Sequence, residues 1–193
     1  MDIRTEAPVS PLKNAPLPDN AKAVGSGWDF EYATTKSEFT FLEHPKNGLL
    51  YLSAIPAPDE MARIYPSNYY AFSDEETQPK IIKVVRDFLE NRKVALYKNL
   101  IPSDSAHVLD IGCGDGRLLH IIQKHTPAGW RFSGIEIGES GAAEARKKGY
   151  DVVQGDIEFT DPAEWEGKFD LILMHQLIEH TRSPAVLLER AAK

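Results

Sequence analysis

Three glycines and three acids stand at spacings that could hold a ligand through backbone N–H groups and carboxylates. Gly112, Gly114 and Gly116 alternate with Cys113 and Asp115, directly after the apolar run 108–111. An apolar pattern at helical spacing then begins with Leu118, Leu119, Ile121 and Ile122. Strand, glycine turn and helix in that order aim the N–H groups of a helix N-terminus at a bound ligand. Gly112 and Gly114 are free to take positive φ, and the missing Cβ lets a ligand lie close to the backbone. Asp110, two residues before the turn, suits a cation better than a pyrophosphate. Glu136 stands 20 residues beyond Gly116 at the end of a second apolar run. A carboxylate there can accept hydrogen bonds from both ribose hydroxyls of a nucleoside, with Ile137 beside the base. Asp156 follows a third such run and could serve a ligand or cap a helix.

The spacing is G-x-G-x-G, whereas a dinucleotide fingerprint is G-x-G-x-x-G; Arg117 occupies the place of that motif's third glycine. Cys113 is the one cysteine in 193 residues, which excludes an internal disulfide and a multi-cysteine metal site. Among glycines it reads as a small residue that fits, not as a nucleophile. With 22 basic and 29 acidic residues the chain carries a net charge of −7, against a nucleic-acid surface. Arg146, Lys147 and Lys148 read as a solvated helix end. No apolar run approaches the roughly 20 residues that cross a bilayer, and the N-terminus has no signal-peptide stretch. These features predict a cytoplasmic protein with no membrane or nucleic-acid partner.

The elements that must position these residues follow from periodicity. Residues 1–27 hold four prolines and no pattern, and predict a flexible arm with little fixed structure before Trp28. Residues 28–77 predict a small cap: short strands around Phe30, Tyr32, Phe39, Phe41 and Leu42, a hairpin turn at Asn47-Gly48, a strand at 49–52 and a short helix over 58–65. Four aromatics in 65–72 either pack this cap onto the main domain or form a lid. Residues 78–193 predict the main domain. A helix over 78–100 carries Ile81, Ile82, Val85, Phe88, Leu89 and Leu96 as an apolar stripe and ends before Pro102. Strands at 108–111, 131–137, 151–154 and 169–174 alternate with helices, the last starting at Ser183. That alternation predicts an α/β fold with a doubly wound, mostly parallel sheet.

The string VLDIGCGDGRLL resembles the first motif of class I S-adenosylmethionine (SAM)-dependent methyltransferases of the small-molecule type, which have a Rossmann-like fold. The resemblance implies SAM as cofactor, S-adenosylhomocysteine (SAH) as product, and Asp110, Gly112, Cys113 and Gly114 among the cofactor contacts. Gly155-Asp156-Ile157 resembles the family motif in which the acid takes the adenine amino group and the next backbone N–H meets a ring nitrogen. FDLILMHQLIEH at 169–180 resembles the fourth-strand motif, so backbone near His175 is expected at the methionine ammonium. In some small-molecule members a histidine in this region is a general base. His180 is the first candidate here, oriented by Glu179, and His175 the second. The other reading of Glu179 and His180 is a hydrogen bond to the following loop. A metal held by Glu179 and His180 is disfavoured by Gln176, a poor ligand. Residues 65–72 resemble a YPxxYY-like segment that follows a zinc ribbon in some methyltransferases; the ribbon's cysteines are absent, so no zinc site is carried over.

The family sheet has seven strands. Four are found here and the motif that follows the fourth is not, so the chain is expected to be incomplete at its C-terminus. The resemblance implies methyl transfer to a small-molecule acceptor, O-methylation ahead of C- or N-methylation, with a homodimer left open. Two rivals remain: a non-catalytic nucleoside-binding module, and a nicotinamide-dependent oxidoreductase, which Arg117 and Asp156 oppose.

Overall fold

The structure is a computed structural model and describes residues 2–10, 16–30, 32–64, 80–160 and 163–193. The aromatic run 65–72 lies outside the described residues. The element order is β1 (Thr5–Glu6), β2 (Lys22–Gly27), β3 (Phe39–Glu43), β4 (Leu50–Leu52), β5 (Ile55–Pro56), α1 (Met61–Ile64), α2 (Lys80–Leu100), β6 (His107–Ile111), α3 (Arg117–His125), β7 (Arg131–Glu136), α4 (Glu139–Lys147), β8 (Asp151–Gln154), β9 (Leu171–Leu173) and α5 (Pro184–Ala191). Two compact units result: residues 1–69 with 179–192, and residues 70–178 with 193.

In the first unit β2, β3 and β4 form an antiparallel sheet and β1 pairs with β5. Asn47 and Gly48 make the β3–β4 turn, with the Gly48 N–H donating to the His44 carbonyl at 2.9 Å. Two expectations are corrected. The stretch before Trp28 is not free of structure, because β2 pairs with β3 along its length. Its sequence, KAVGSG, is mostly exposed and shows no alternation, so only backbone pairing with β3 reveals it. Phe30 and Tyr32 are not in strands. The Asp29 carboxylate accepts the N–H groups of Tyr32 and Thr34 at 3.0 and 2.7 Å, which turns the chain there. Trp28, Phe30, Phe39 and Phe41 line a hollow of about 570 Å³ instead. The Arg182 guanidinium meets the Glu6 carboxylate at 2.7 Å, tying the 179–192 segment to the N-terminal strands.

The second unit is a parallel sheet in the order β8-β7-β6-β9. Strands added outward from β6 as β7 and β8, then β9 on the opposite side, make a doubly wound α/β sheet, as the alternation predicts. The register places Asp110 between Gly134 of β7 and Leu173 of β9. At the entry to β9, the His107 N–H donates to the Asp170 carboxylate at 2.7 Å and the Asp170 N–H returns a bond to the His107 carbonyl at 2.9 Å.

Val108, Leu119, Ile122, Phe132, Val152 and Leu173 belong to one buried cluster. The expected helix is present over Lys80–Leu100, but the described part of its stripe faces differently from expectation. Ile81, Phe88, Leu89 and Leu96 are exposed, while Val94 is buried and Tyr97 packs partly on the core. Packing of α2 against α3, and not its own apolar periodicity, sets which face turns inward.

Ile122 is fully buried on α3, so Ile122→Ala is expected to cost about 2–5 kcal/mol of stability through lost contacts and a residual cavity. Urea denaturation should show this as a lower midpoint at an unchanged slope.

Candidate ligand-binding site

Asp110, the glycine turn, Glu136, Asp156 and His175 lie at or just beyond the carboxyl ends of β6, β7, β8 and β9. Open α/β sheets bind their ligands at that end, at the point where strand order reverses. All three glycines of the turn have positive φ: 78° at Gly112, 55° at Gly114 and 79° at Gly116.

Glu136 holds the turn. Its two carboxylate oxygens accept the Gly114 N–H at 2.9 Å and the Gly138 N–H at 2.7 Å. Burial raises its pKa, and hydrogen bonds from Gly138, Gly114 and Ile137 oppose the rise. An ionised carboxylate offers roughly four acceptor positions, so capacity for a hydroxyl group remains.

Asp110 is 2% exposed, and its Oδ1 has no hydrogen-bond partner in the protein. Burial, with the charge of Glu136 adding to it, pushes the Asp110 carboxyl up to about 8. Burial also pushes the Cys113 thiol up, with Asp110 and Glu136 adding, so Cys113 stays a thiol. It packs closely on β7: a Cβ added at Gly134 would lie 2.5 Å from the Cys113 Sγ. Gly134 was not singled out by its sequence, although a glycine inside a strand is itself a sign of close approach.

Asp115 closes the first turn of α3. Its Oδ1 accepts the Arg117 N–H at 3.1 Å, and its Oδ2 meets the Lys148 ammonium at 2.7 Å. Lys148 is therefore not a purely solvated helix end. Gly116 packs as well as turns, since an added Cβ would lie 2.9 Å from the Tyr150 ring and 3.2 Å from the Ala145 Cβ.

Asp156 behaves as a turn-forming residue, with Oδ1 accepting the Glu158 N–H at 2.9 Å and its carbonyl accepting those of Phe159 and Thr160. Ile137 and Ile157 are half-buried at the same ends of β7 and β8. His175 is exposed, and its Nε2 lies 3.2 Å from the Lys93 ammonium on α2. An ammonium only donates, so Nε2 accepts and the ring proton sits on Nδ1. Lys93 carries no motif that sequence reading could have used.

Gln176, the next residue, takes φ 51°, an uncommon value for a side-chain-bearing residue. Beyond it Leu177 reaches back to the turn: a Cβ added at Gly112 would lie 3.0 Å from the Leu177 Cδ1. A side chain at Gly112 would therefore press on Leu177. Glu179 and His180 are both exposed in a short 3₁₀ turn and belong to the first compact unit, whereas His175 belongs to the second. Among the described residues no group of three or more His, Cys, Asp or Glu side chains could hold a metal ion.

Residues 92–193 match the family described as "Methionine biosynthesis protein MetW". A curated protein of Rhodopirellula baltica, "Bifunctional methionine biosynthesis protein MetXA/MetW", is 26% identical over 121 residues, covering 60% of this chain and 19% of its own length. Among solved structures, the plantazolicin methyltransferase BpumL in complex with a pentazolic desmethylPZN analog and SAH is similar at 28% identity and a TM-score of 0.48, over 69% of this chain and 48% of its own. The N-terminal domain of EvdMO1 with SAH bound is similar at 20% identity and a TM-score of 0.48, over 66% and 49%. The chain spans about a fifth of the curated relative's length and about half of each of these two structures.

Gly116→Ala combines a left-handed backbone with overpacking against Tyr150 and Ala145, and is expected to cost about 2–4 kcal/mol. Chemical denaturation checks the value. A loss under about 0.5 kcal/mol would show that the turn relaxes around the added methyl.

Proposed function

The chain belongs to the family of the methionine biosynthesis protein MetW, a methyltransferase-like family, and on that premise we propose that it is a cytoplasmic SAM-dependent methyltransferase acting on a small molecule. O-methylation is favoured over C- or N-methylation. One observation carries the cofactor reading: carboxylates surround the glycine turn. Asp110 is buried with an unpartnered oxygen, Glu136 is fixed by two backbone donors, and Asp115 already closes the start of α3. A pyrophosphate would need that helix start free, whereas a positively charged nucleoside meets acids of the right sign. The nicotinamide-dependent oxidoreductase is disfavoured on the same ground.

The residues present fit SAM, which when bound supplies a methyl group on a positively charged sulfur with a good leaving group. Asp110, with the backbone of Gly112, Cys113 and Gly114, is assigned to its charged amino-acid end. Glu136 is assigned to the ribose hydroxyls, Ile137 to the flank of the adenine, Asp156 to the adenine amino group and the Ile157 N–H to the ring. Backbone at His175 is assigned to the ammonium. Orientation of the acceptor supplies most of the acceleration in such a transfer, so the chain needs few reacting side chains. A hydroxyl acceptor must lose a proton, and His180 is the proposed base, with Glu179 orienting it and His175 as the alternative.

A second reading, a nucleoside-binding module without catalysis, draws on the placement of Glu179 and His180 in a different compact unit from the glycine turn.

Calorimetry should show binding of SAH and none of NAD; tight NAD binding with none of SAH would remove the cofactor reading. Methyl transfer from labelled SAM to a panel of hydroxylated small molecules separates enzyme from binding module. With an accepted substrate, His180→Ala should lower turnover by about 10²–10⁴-fold, and unchanged turnover would make His180 structural.

A further inference from the structure

Two carboxyl groups share the buried end of β6 and β7, and they are not equally provided for. Glu136 receives two backbone N–H groups at 2.9 and 2.7 Å, one on each oxygen. Asp110 is 2% exposed and leaves Oδ1 without a partner. In a poorly solvating site two neighbouring carboxylates do not both ionise freely, and the one with the better donors keeps the charge. Among the described residues the other titratable groups near Asp110 are the Cys113 thiol of the turn and the Tyr97 phenol of α2. On β9 its ladder neighbour is the apolar Leu173. None of these brings a positive charge.

We propose that Asp110 carries a proton in the ligand-free protein and surrenders it when a ligand's ammonium group arrives, so that capture of SAM or SAH releases a proton to solvent. The step is a simple ionisation: the Asp110 O–H breaks, its electron pair stays on the carboxylate, and the proton leaves to water. The proposal rests on the cofactor reading above and adds a selectivity to it. A neutral Asp110 offers no attraction to cations in general, and its charge appears only against a ligand that is otherwise well seated.

With a carboxyl group held near 8, binding at pH 7 should release roughly 0.9 proton, and affinity should rise about tenfold between pH 6 and pH 7. Titration calorimetry of SAH and SAM in two buffers of different ionisation heat reads the proton count. The Asp110→Asn protein, carried through the same titrations, subtracts protons from the ligand's own amino group. A release seen in the native protein and missing from Asp110→Asn supports the proposal. Equal proton counts in the two proteins overturn it while leaving the cofactor reading intact. Failure of both SAH and SAM to bind the native protein removes the cofactor reading and the coupling with it.

A ligand-free measurement covers the case in which Asp110→Asn no longer binds. The Asp110 pKa is raised in the folded chain, so its contribution to stability is complete below the unfolded pKa and is lost as pH rises through about 8. Thermal melts of the native protein should therefore fall relative to Asp110→Asn between about pH 5 and pH 8 and run parallel to it above about pH 9, and curves parallel throughout would overturn the proposal. In Glu136→Gln the neighbouring charge is gone, so the same fall should end at lower pH than in the native protein; an end that moves to higher pH instead would also count against it.

Discussion

The ligand end of the sheet depends on a single buried carboxylate shared between two loops. Glu136 closes β7, yet it accepts one N–H from the turn after β6 and another from the turn before α4. An anion placed there without donors would cost several kcal/mol in lost solvation. Backbone donors offset that cost, and the bonds in turn lock the two turns to each other. The parallel register of β6 and β7 brings Gly114 within reach of Glu136, where the carboxylate can be buried with donors. Cys113 and Gly134 serve the same join from the apolar side, thiol against bare Cα.

Much of the second unit was legible because its signals are local. Each parallel strand is a short apolar run, each helix has its own periodicity, and the glycine alternation marks the one turn with three positive φ values. Asp110, Glu136, Asp156 and His175 were placed at strand ends by counting alone, and the sheet gathers them at one end. What escaped was whatever needs a partner distant in sequence. β2 exists through its pairing with β3, and KAVGSG carries no period of its own. The stripe on α2 was visible, but which way it points is decided by α3. Leu177 against Gly112 and Lys93 beside His175 join residues 65 and 82 positions apart, and no motif announces either.

The expected reacting groups show the same division between local pattern and distant context. His175, Glu179 and His180 fall within one short string, and proximity in sequence suggests one site. The left-handed residue Gln176 redirects the chain between them, turning Leu177 back onto the glycine turn while the chain beyond Ile178 joins the first unit. A backbone in that conformation costs about 1 kcal/mol for a residue with a Cβ, and it persists where the surroundings demand it.

The charge at the start of α3 then explains why a Rossmann-like sheet can face a cation. A helix N-terminus presents unbonded N–H groups and a partial positive charge, and in many α/β proteins a phosphate satisfies both. In this chain Asp115 accepts the Arg117 N–H and is itself steadied by Lys148. The helix is therefore served by a side chain before any ligand arrives. With one donor at the start of α3 already taken, the carboxyl groups left around the turn are Asp110 and Glu136. An aspartate between the second and third glycines thus occupies a donor that an anion would otherwise use, within the same strand–turn–helix architecture.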